Sequence, residues 1–586
     1  MLQFLKYVLA TIIGIGTFLI LVFLGFTIFG AIFGGSSTPT VEKNSVLELD
    51  LSSVSLDYTG KYTDPWLSQF NEGNMGLSIL VKSIAHAKKD ENIKGIVLLN
   101  NTYSLGAAQS KVVRDALEDF KSSKKFIVSY ADMYSQNQYY INSVADTIYL
   151  NPVGSIDFKG LATEVMYSKG FQDKIGVEMQ VIRHGKYKSA VEGYLDNQMS
   201  AENREQLQFL LNDIWNNLVQ DIAKSRKLTV EQLNQIATNL EARTPELALK
   251  NKLIDKIAYE DQFHAGIKKA LKVEKKEDYK KISIQDYASA NLSKLNDSKA
   301  KDYIAIIYAQ GEIMPGEGSV TVVSEGAMRK SLQEAREDDD VKAIVLRVDS
   351  PGGSALTSEL IWREIELTKK KKPVVVSMGN VAASGGYYIA CNANKIVAEP
   401  NTITGSIGVF GVLPTFHPLA TRWGLNAEQV VTHENAVDFS VFEPLSDKSR
   451  EVITESIENV YDVFLDRVSK GRKMTREQVD AVAQGRIWTG TQAKERGLVD
   501  EIGNLQNAID IAAKLAKVKS YKTTSYPVFE NKFAFEDLLS QIGMKQTREE
   551  MIQKELGPEA YQMMLQLRKI KQYQGVQAVL PIQIKI

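Results

Sequence analysis

Residues 343–398 carry the clearest pattern in the chain and read AIVLRVDSPGGSALTSELIWREIELTKKKKPVVVSMGNVAASGGYYIACNANKIVA. Three short runs rich in β-branched residues alternate here with two helical stretches. The runs are Ala343–Val348, Val374–Met378 and Lys395–Ala398, and the helical stretches are Ala355–Lys370 and Gly386–Asn394. This alternation is typical of βαβ units, in which helices cover a parallel sheet. The sequence therefore predicts an α/β fold.

The same order of patterns occurs a second time, closer to the amino terminus. Gly95-Ile-Val-Leu-Leu matches Ala343-Ile-Val-Leu-Arg, and Tyr139-Tyr-Ile matches Tyr387-Tyr-Ile at an offset of 248 residues. Further along, Lys252-Leu-Ile-Asp matches Gly497-Leu-Val-Asp at an offset of 245. A nearly constant offset across separated segments indicates an internal duplication, and hence two homologous α/β domains in tandem.

The chain of 586 residues divides into six predicted segments. They are residues 1–34 (a cytoplasmic start and a transmembrane anchor), 35–45 (a linker), 46–275 (the amino-terminal domain), 276–299 (a linker), 300–520 (the carboxyl-terminal domain) and 521–586 (a tail with an amphipathic helix near 549–574). Each domain is also expected to contain a long amphipathic helix, near Ala201–Lys227 and near Ser449–Lys473.

The amino-terminal segment predicts membrane attachment. Val8 to Phe33 form 26 consecutive residues without a charge, more than the roughly 20 that a helix needs to cross the hydrocarbon core. Lys6 precedes this stretch and favours a cytoplasmic amino terminus. The stretch is longer than the apolar region of a signal peptide and lacks a good cleavage site. We expect an uncleaved, single-pass anchor in the cytoplasmic (inner) membrane, with the bulk of the chain on the periplasmic side.

The amino-acid composition excludes several classes of binding and metal site. Lys and Arg number 70 against 71 Asp and Glu, so no basic surplus predicts nucleic-acid binding. Cys391 is the only cysteine, which excludes an intramolecular disulfide and a multi-cysteine zinc site. The five histidines are scattered, and no metal or cofactor is expected.

Two turns could carry chemistry. Ser384 lies in Val381-Ala-Ala-Ser-Gly-Gly, between an apolar strand and a helix, where small neighbours let a substrate approach. Gly352 and Gly353 lie in Asp349-Ser-Pro-Gly-Gly and could expose backbone N–H groups to an oxyanion. Each turn could also be purely structural, and for the glycine turn by itself that is the better interpretation. Because both follow neighbouring strands of one parallel sheet, they should open at the same edge.

A serine nucleophile also needs a base. His417 and His433 sit in no recognisable arrangement. In the carboxyl-terminal half, no lysine occurs from Thr402 to Asp447. Lysine can act as the base when burial lowers its pKa. Lys186 and Lys188 are candidates from the amino-terminal half, although lysines in a loop are usually solvated.

These features together resemble the long, duplicated form of the signal peptide peptidase A (protease IV) family. The motifs that carry the resemblance are Ser350-Pro-Gly-Gly, Ala383-Ser-Gly-Gly-Tyr-Tyr, Thr404-Gly-Ser-Ile-Gly-Val and Tyr187-Lys-Ser-Ala-Val-Glu. The resemblance implies tandem Clp-protease/crotonase-like domains, bowl-like homotetramers and a Ser/Lys dyad. It implies Ser384 as nucleophile, Lys188 rather than Lys186 as general base, Gly353 and Gly385 as the oxyanion hole, and Ser406 and Gly352 in support.

The duplication offers a separate argument about this site. The position matching Ser384 in the amino-terminal half is Gln136, and the glycine pair is replaced by Ser104 and Leu105. The stretch matching Lys188 in the carboxyl-terminal half, residues 434–437, contains no lysine. One composite site per chain, built from both halves, is therefore expected.

The predicted function is a membrane-anchored serine endopeptidase that degrades signal-peptide remnants and similar apolar, unfolded segments. Its expected partners are those peptides, the lipid bilayer through residues 8–33 and other copies of the chain. Two alternatives stay open at this point: a non-catalytic, membrane-tethered oligomeric scaffold, and a crotonase-like acyl-CoA enzyme.

Overall fold

The computed structural model describes residues 6–7, 11, 14–18, 21, 39–62, 75–274, 276–295, 300–437, 440–529 and 576–579. The predicted anchor (8–33) lies largely outside the described residues, and the predicted amphipathic helix near 549–574 lies wholly outside them. In the part of the chain that is described, no helix has the length and apolar character needed to span a bilayer.

The strands are numbered in chain order. They are β1 (Ser45–Glu48), β2 (Lys61–Tyr62), β3 (Ile93–Leu99), β4 (Phe126–Ala131), β5 (Thr147–Leu150), β6 (Glu178–His184), β7 (Lys256–Ile257), β8 (Lys281–Ser283), β9 (Tyr303–Gln310), β10 (Glu312–Ile313), β11 (Val322–Val323), β12 (Val341–Ser350), β13 (Gly352–Ser354), β14 (Val374–Ala383), β15 (Lys395–Ala398), β16 (Ile403–Gly405), β17 (Val409–Thr415), β18 (Ile487–Thr489), β19 (Glu501–Ile502), β20 (Lys522–Tyr526), β21 (Val528–Phe529) and β22 (Gln577–Val579).

The helices are numbered in the same way. They are α1 (Leu77–Lys89), α2 (Ala107–Lys121), α3 (Gln136–Asn142), α4 (Lys169–Ile175), α5 (Glu192–Leu195), α6 (Ala201–Arg226), α7 (Val230–Thr238), α8 (Pro245–Lys250), α9 (Glu260–Leu271), α10 (Ile284–Leu295), α11 (Glu325–Glu337), α12 (Ala355–Lys369), α13 (Gly385–Ala390), α14 (His417–Arg422), α15 (Asp447–Arg472), α16 (Arg476–Val482), α17 (Gly490–Glu495) and α18 (Leu505–Leu515), with a 3₁₀ turn at Ser189–Val191.

The two halves contain the same parallel sheet. In the amino-terminal half the strand order is β7-β5-β4-β3-β1-β8, and every pair is parallel. In the carboxyl-terminal half the corresponding path is β19-β15-β14-β12-β9-β20, again parallel throughout. The α/β fold and the internal duplication are therefore confirmed.

The long helices of the two halves also match in their ends. α6 begins after Ser200, whose side chain accepts a hydrogen bond from the Asn203 amide, and α15 begins after Ser446 in the same way. Such caps satisfy amide groups that the first helical turn leaves unpaired. Each helix has 26 residues and ends at a lysine in the left-handed conformation, Lys227 or Lys473. Both helices were predicted from the sequence.

A third sheet joins the halves. Its order is β11-β10-β13-β22-β17-β6, and β6 of the amino-terminal half pairs antiparallel with β17 of the carboxyl-terminal half along seven residue pairs. β22, from the tail, lies between β13 and β17. This mixed sheet has no counterpart in the predicted pattern, because it forms between segments that are far apart in sequence.

Some elements extend beyond their predicted limits. β14 continues to Ala383, five residues past the predicted end, because Val381 to Ala383 pair with β16. The predicted linker 276–299 contains β8, which pairs with β1, and α10, which packs on α1. Within the predicted tail, β20 joins the carboxyl-terminal sheet beside β9.

Candidate active site

Ser384 lies at the turn between β14 and α13. Its backbone has φ 55° and ψ −116°, an uncommon conformation for a residue with a side chain. The amide of Ser384 donates a hydrogen bond to the Gly405 carbonyl at 2.8 Å, which fixes this turn against β16. Ser384 is fully buried. The turn therefore holds the hydroxyl group in one place at the carboxyl end of the strand.

Lys188 reaches the same place from the other half of the chain. In the pairing of β6 with β17, His184 lies opposite Val409, so the residues after His184 run beside those just before Val409. Lys188 Nζ lies 2.8 Å from Ser384 Oγ, 3.0 Å from Ser406 Oγ and 3.2 Å from the Ser406 carbonyl oxygen. The first distance lies within the range that a serine and its base require.

The surroundings of Lys188 favour the neutral amine. The side chain is fully buried, and burial lowers its pKa to about 7, because a charged amine loses its hydration there. The Phe410 ring centre lies 5.8 Å from Nζ. Gly408 and Gly485 flank the lysine so closely that a methyl group added at Gly485 would lie 2.6 Å from its backbone. A neutral lysine near pH 7 can accept a proton from a serine hydroxyl.

The backbone around Lys188 is held by several neighbours. Arg183 donates a hydrogen bond to the Lys188 carbonyl at 3.1 Å. The Tyr187 amide donates to the Gln484 carbonyl at 2.9 Å, and Gln206 donates to the Tyr187 carbonyl at 3.0 Å. These contacts position the lysine without touching its amine. These contacts could not be predicted, because no local motif marks residues that meet only in the folded chain.

The predicted glycines meet beside Ser384. A methyl group added at Gly352, where φ is 100°, would lie 2.7 Å from the Gly385 amide nitrogen. A methyl group added at Gly385 would lie 3.2 Å from the Gly353 amide nitrogen. The amides of Gly353 and Gly385 therefore lie close together next to the serine. Paired amides in this position can stabilise an oxyanion.

A buried charge cluster lies behind this turn. Arg347 Nε lies 2.5 Å from Asp57 Oδ2, and both side chains are 2% exposed. This ion pair joins the two halves. Asp349 accepts a hydrogen bond from the Val381 amide at 2.9 Å and so ties the end of β12 to β14. Burial, together with the nearby Asp57 carboxylate, raises the pKa of Asp349.

All six predicted site residues therefore lie in one region: Ser384, Lys188, Ser406, Gly352, Gly353 and Gly385. Lys186, two residues before Lys188, is exposed to solvent. His433 is also exposed, and His417 Nδ1 donates a hydrogen bond to the Phe442 carbonyl at 2.8 Å rather than to a site residue. The arrangement can support nucleophilic attack by a serine with a lysine base.

Known proteins similar to this chain are peptidases. The sequence profile of peptidase family S49 matches residues 119–274 and 366–519, one segment in each half. Protease 4 of Haemophilus influenzae is 36% identical over 89% of this chain and 88% of its own length. Protease 4 of Salmonella typhi is 37% identical over 87% and 84%, and the chloroplastic serine protease SPPA of Arabidopsis thaliana is 34% identical over 86% and 74%.

Proposed function

This chain belongs to peptidase family S49 and is a serine protease, and on that premise we propose that Ser384 and Lys188 form its catalytic dyad. The observation that carries the proposal is the distance of 2.8 Å between Lys188 Nζ and Ser384 Oγ in a fully buried site. Ser406 supports it, because its hydroxyl lies 3.0 Å from the same amine and can orient it.

The dyad acts through one proton. Neutral Lys188 accepts the proton of the Ser384 hydroxyl as the serine oxygen attacks the scissile carbonyl carbon. The amides of Gly353 and Gly385 stabilise the negative charge on the carbonyl oxygen. The lysine then gives the proton to the leaving amine, and water releases the acyl group from Ser384 by the same steps. Burial of the lysine keeps a useful fraction of it neutral near pH 7.

We further propose that the substrates are apolar, unfolded peptides, including signal-peptide remnants. The support is the resemblance of the motifs and the small residues that surround Ser384. The Clp/crotonase-like assignment of the two domains and assembly into a homotetramer rest on the same resemblance. Anchoring in the cytoplasmic membrane, with the bulk of the chain on the periplasmic side, rests on the uncharged stretch from Val8 to Phe33.

The test compares an apolar signal-peptide fragment in detergent micelles with a polar peptide of the same length. Wild-type protein is expected to cut the apolar peptide faster, and Ser384→Ala is expected to cut neither. Equal turnover of the two peptides would contradict the substrate proposal, and normal activity of Ser384→Ala would contradict the dyad. Hydrolysis of an acyl-CoA thioester in place of either peptide would favour the acyl-CoA alternative.

Two further measurements address membrane attachment and assembly. Resistance of the full chain to carbonate extraction from membranes, and loss of that resistance when residues 1–34 are removed, is expected for an anchored protein. Digestion by protease added on the periplasmic side tests the orientation. Light scattering of the detergent-solubilised chain is expected to give four copies, and a monomer would contradict the tetramer.

A further inference from the structure

A segment of the chain's own tail lies against the proposed catalytic turn. β22 pairs antiparallel with β13, so that Gly352, Gly353 and Ser354 lie opposite Val579, Ala578 and Gln577. On its other side, Gln577 pairs with Phe410 of β17. β22 therefore fills a space one strand wide between the glycine turn and the strand that runs beside Lys188. An extended peptide that adds to a sheet in this way is held by main-chain hydrogen bonds.

The register brings one particular carbonyl group to the site. A methyl group added at Gly352 would lie 2.0 Å from the Ala578 carbonyl oxygen and 2.7 Å from the Gly385 amide nitrogen. The Ala578 carbonyl oxygen and the Gly385 amide nitrogen are therefore close to each other. Gly385 directly follows Ser384 in the chain, so the Ala578 carbonyl lies beside the serine.

The hydrogen-bonding pattern of β13 and β22 also brings the Gly353 amide to the Ala578 carbonyl oxygen. The Ala355 amide donates to the Val576 carbonyl at 3.4 Å, in the same register that places Gly353 opposite Ala578. Hydrogen-bonded pairs recur at every second residue of an antiparallel ladder. The Gly353 amide therefore faces the Ala578 carbonyl oxygen, which lies near both amides that we assign to the oxyanion hole.

Burial also fits a bound peptide. Ala578 is 1% exposed and Gln577 is 5% exposed, so the tail segment is enclosed rather than loosely placed. Val576 packs against the core of the carboxyl-terminal half. A small side chain at position 578 suits a site in which the tail segment lies beside Gly352, Gly353 and Gly385.

We infer that the chain's own tail is a substrate, and that Ser384 cuts it between Ala578 and Val579. This inference rests on the proposed function. In the first step Ser384 Oγ bonds to the Ala578 carbonyl carbon, the bond to the Val579 nitrogen breaks, and the serine proton passes through Lys188 to that nitrogen. Water then hydrolyses the ester, leaving a carboxylic acid at Ala578 and a free Ser384 hydroxyl. The segment that begins at Val579 leaves.

The experiment follows the intact mass of the purified full chain over time. Wild-type protein is expected to lose the mass of the segment that follows Ala578, and Ser384→Ala is expected to keep it. Ala578→Trp should block the cut, because its large side chain replaces one that is 1% exposed, whereas the matched control Ala578→Ser should still be cut. Turnover of an added apolar peptide is measured on every sample.

The added peptide separates this inference from the proposed function. Wild-type protein that cuts the added peptide while its own tail stays intact would overturn the inference and leave the proposed function standing. Shortening of Ser384→Ala at the same bond would also overturn it, because another protease would then be responsible. If wild-type protein cuts neither peptide nor tail, the proposed function fails and the inference fails with it.

Discussion

The two halves of the chain keep the same scaffold. The Tyr139 hydroxyl donates to the Leu253 carbonyl at 2.8 Å, and its counterpart Tyr387 donates to the Leu498 carbonyl at 2.9 Å. In each half an arginine at the end of the long helix pairs with the aspartate directly before the edge strand β7 or β19. These pairs are Arg226 with Asp255 and Arg472 with Asp500, both at 2.9 Å. The interactions that hold each sheet to its helices have therefore been retained in both copies.

The halves differ where Ser384 lies. Its counterpart, Gln136, accepts hydrogen bonds from the Lys159 and Gly160 amides at 3.1 and 3.0 Å and donates to the Gly160 carbonyl at 3.1 Å. The position that holds the hydroxyl group in one half thus holds a loop together in the other. The lysine differs in the opposite sense, because the stretch that matches it, residues 434–437, contains no lysine and is exposed at residues 434–436. A duplicated scaffold can therefore divide one site between its copies.

Lys188→Met gives the sharpest test of this division. It is expected to lower kcat by about 10³-fold, because the proton of the Ser384 hydroxyl loses its acceptor. The matched control is Lys186→Met, which removes an exposed lysine two residues away and should leave kcat unchanged. Peptide turnover under saturating substrate measures both. Equal losses in the two variants would show that the Lys188 position is not special.

The contact between the halves is tested by Asp57→Asn. This change leaves Arg347 buried without its charged partner, and we expect a loss of about 3–5 kcal/mol in the free energy of unfolding. Thermal unfolding measures the effect. Asp119→Asn, which breaks a more exposed pair with Lys88 at 2.7 Å, should change Tm little. A similar small effect of Asp57→Asn would mean that the buried pair does not stabilise the joined halves.

The pH dependence of kcat/KM reports on Lys188. Because burial lowers its pKa from 10.5 to about 7, the lysine loses its proton as the pH rises through about 7. We expect kcat/KM to fall about tenfold per pH unit below that value and to level off above it. Asp349→Asn serves as a control, since Asp349 also has a shifted pKa, and it should leave this limb in place. A limb near pH 10 would contradict a buried, neutral lysine.

The smallest effect is expected from Gln136→Ala. Loss of its hydrogen bonds to Lys159 and Gly160 should lower the free energy of unfolding by about 1–2 kcal/mol, while kcat stays unchanged. Denaturant unfolding and peptide turnover measure the two quantities. Gln136→Ser in the Ser384→Ala background should restore no activity, because the Lys188 amine lies at Ser406 and position 384 in the other half. Any rescue would show that the amino-terminal half can still form a site.

Much of this molecule is predictable from local sequence. The runs around Val345 and Val376 predict strands because their apolar β-branched residues fit buried positions in a parallel sheet. The repeated tyrosines and the offset of 248 predict the duplication. Ser384 and the glycine pair stand out because small residues at a turn after a strand form a recognisable local motif. These features depend on neighbours in the chain.

Other features depend on contacts that no local pattern carries. Asp57 and Arg347 are 290 residues apart, and neither lies in a motif that marks it as one half of an ion pair. The pairing of β22 with β13 was likewise unexpected, because a three-residue strand far from any repeat gives no periodic signal.

The two α/β repeats and the residue types available for catalysis follow from the amino-acid sequence alone, because both depend on short-range patterns of hydrophobic and small residues. The contact between Lys188 and Ser384 exists only in the folded chain. That meeting depends on the antiparallel register of β6 with β17, which joins the halves of the chain. The same packing removes water from the lysine and lowers its pKa, so the chemistry of the amine is a property of the folded protein.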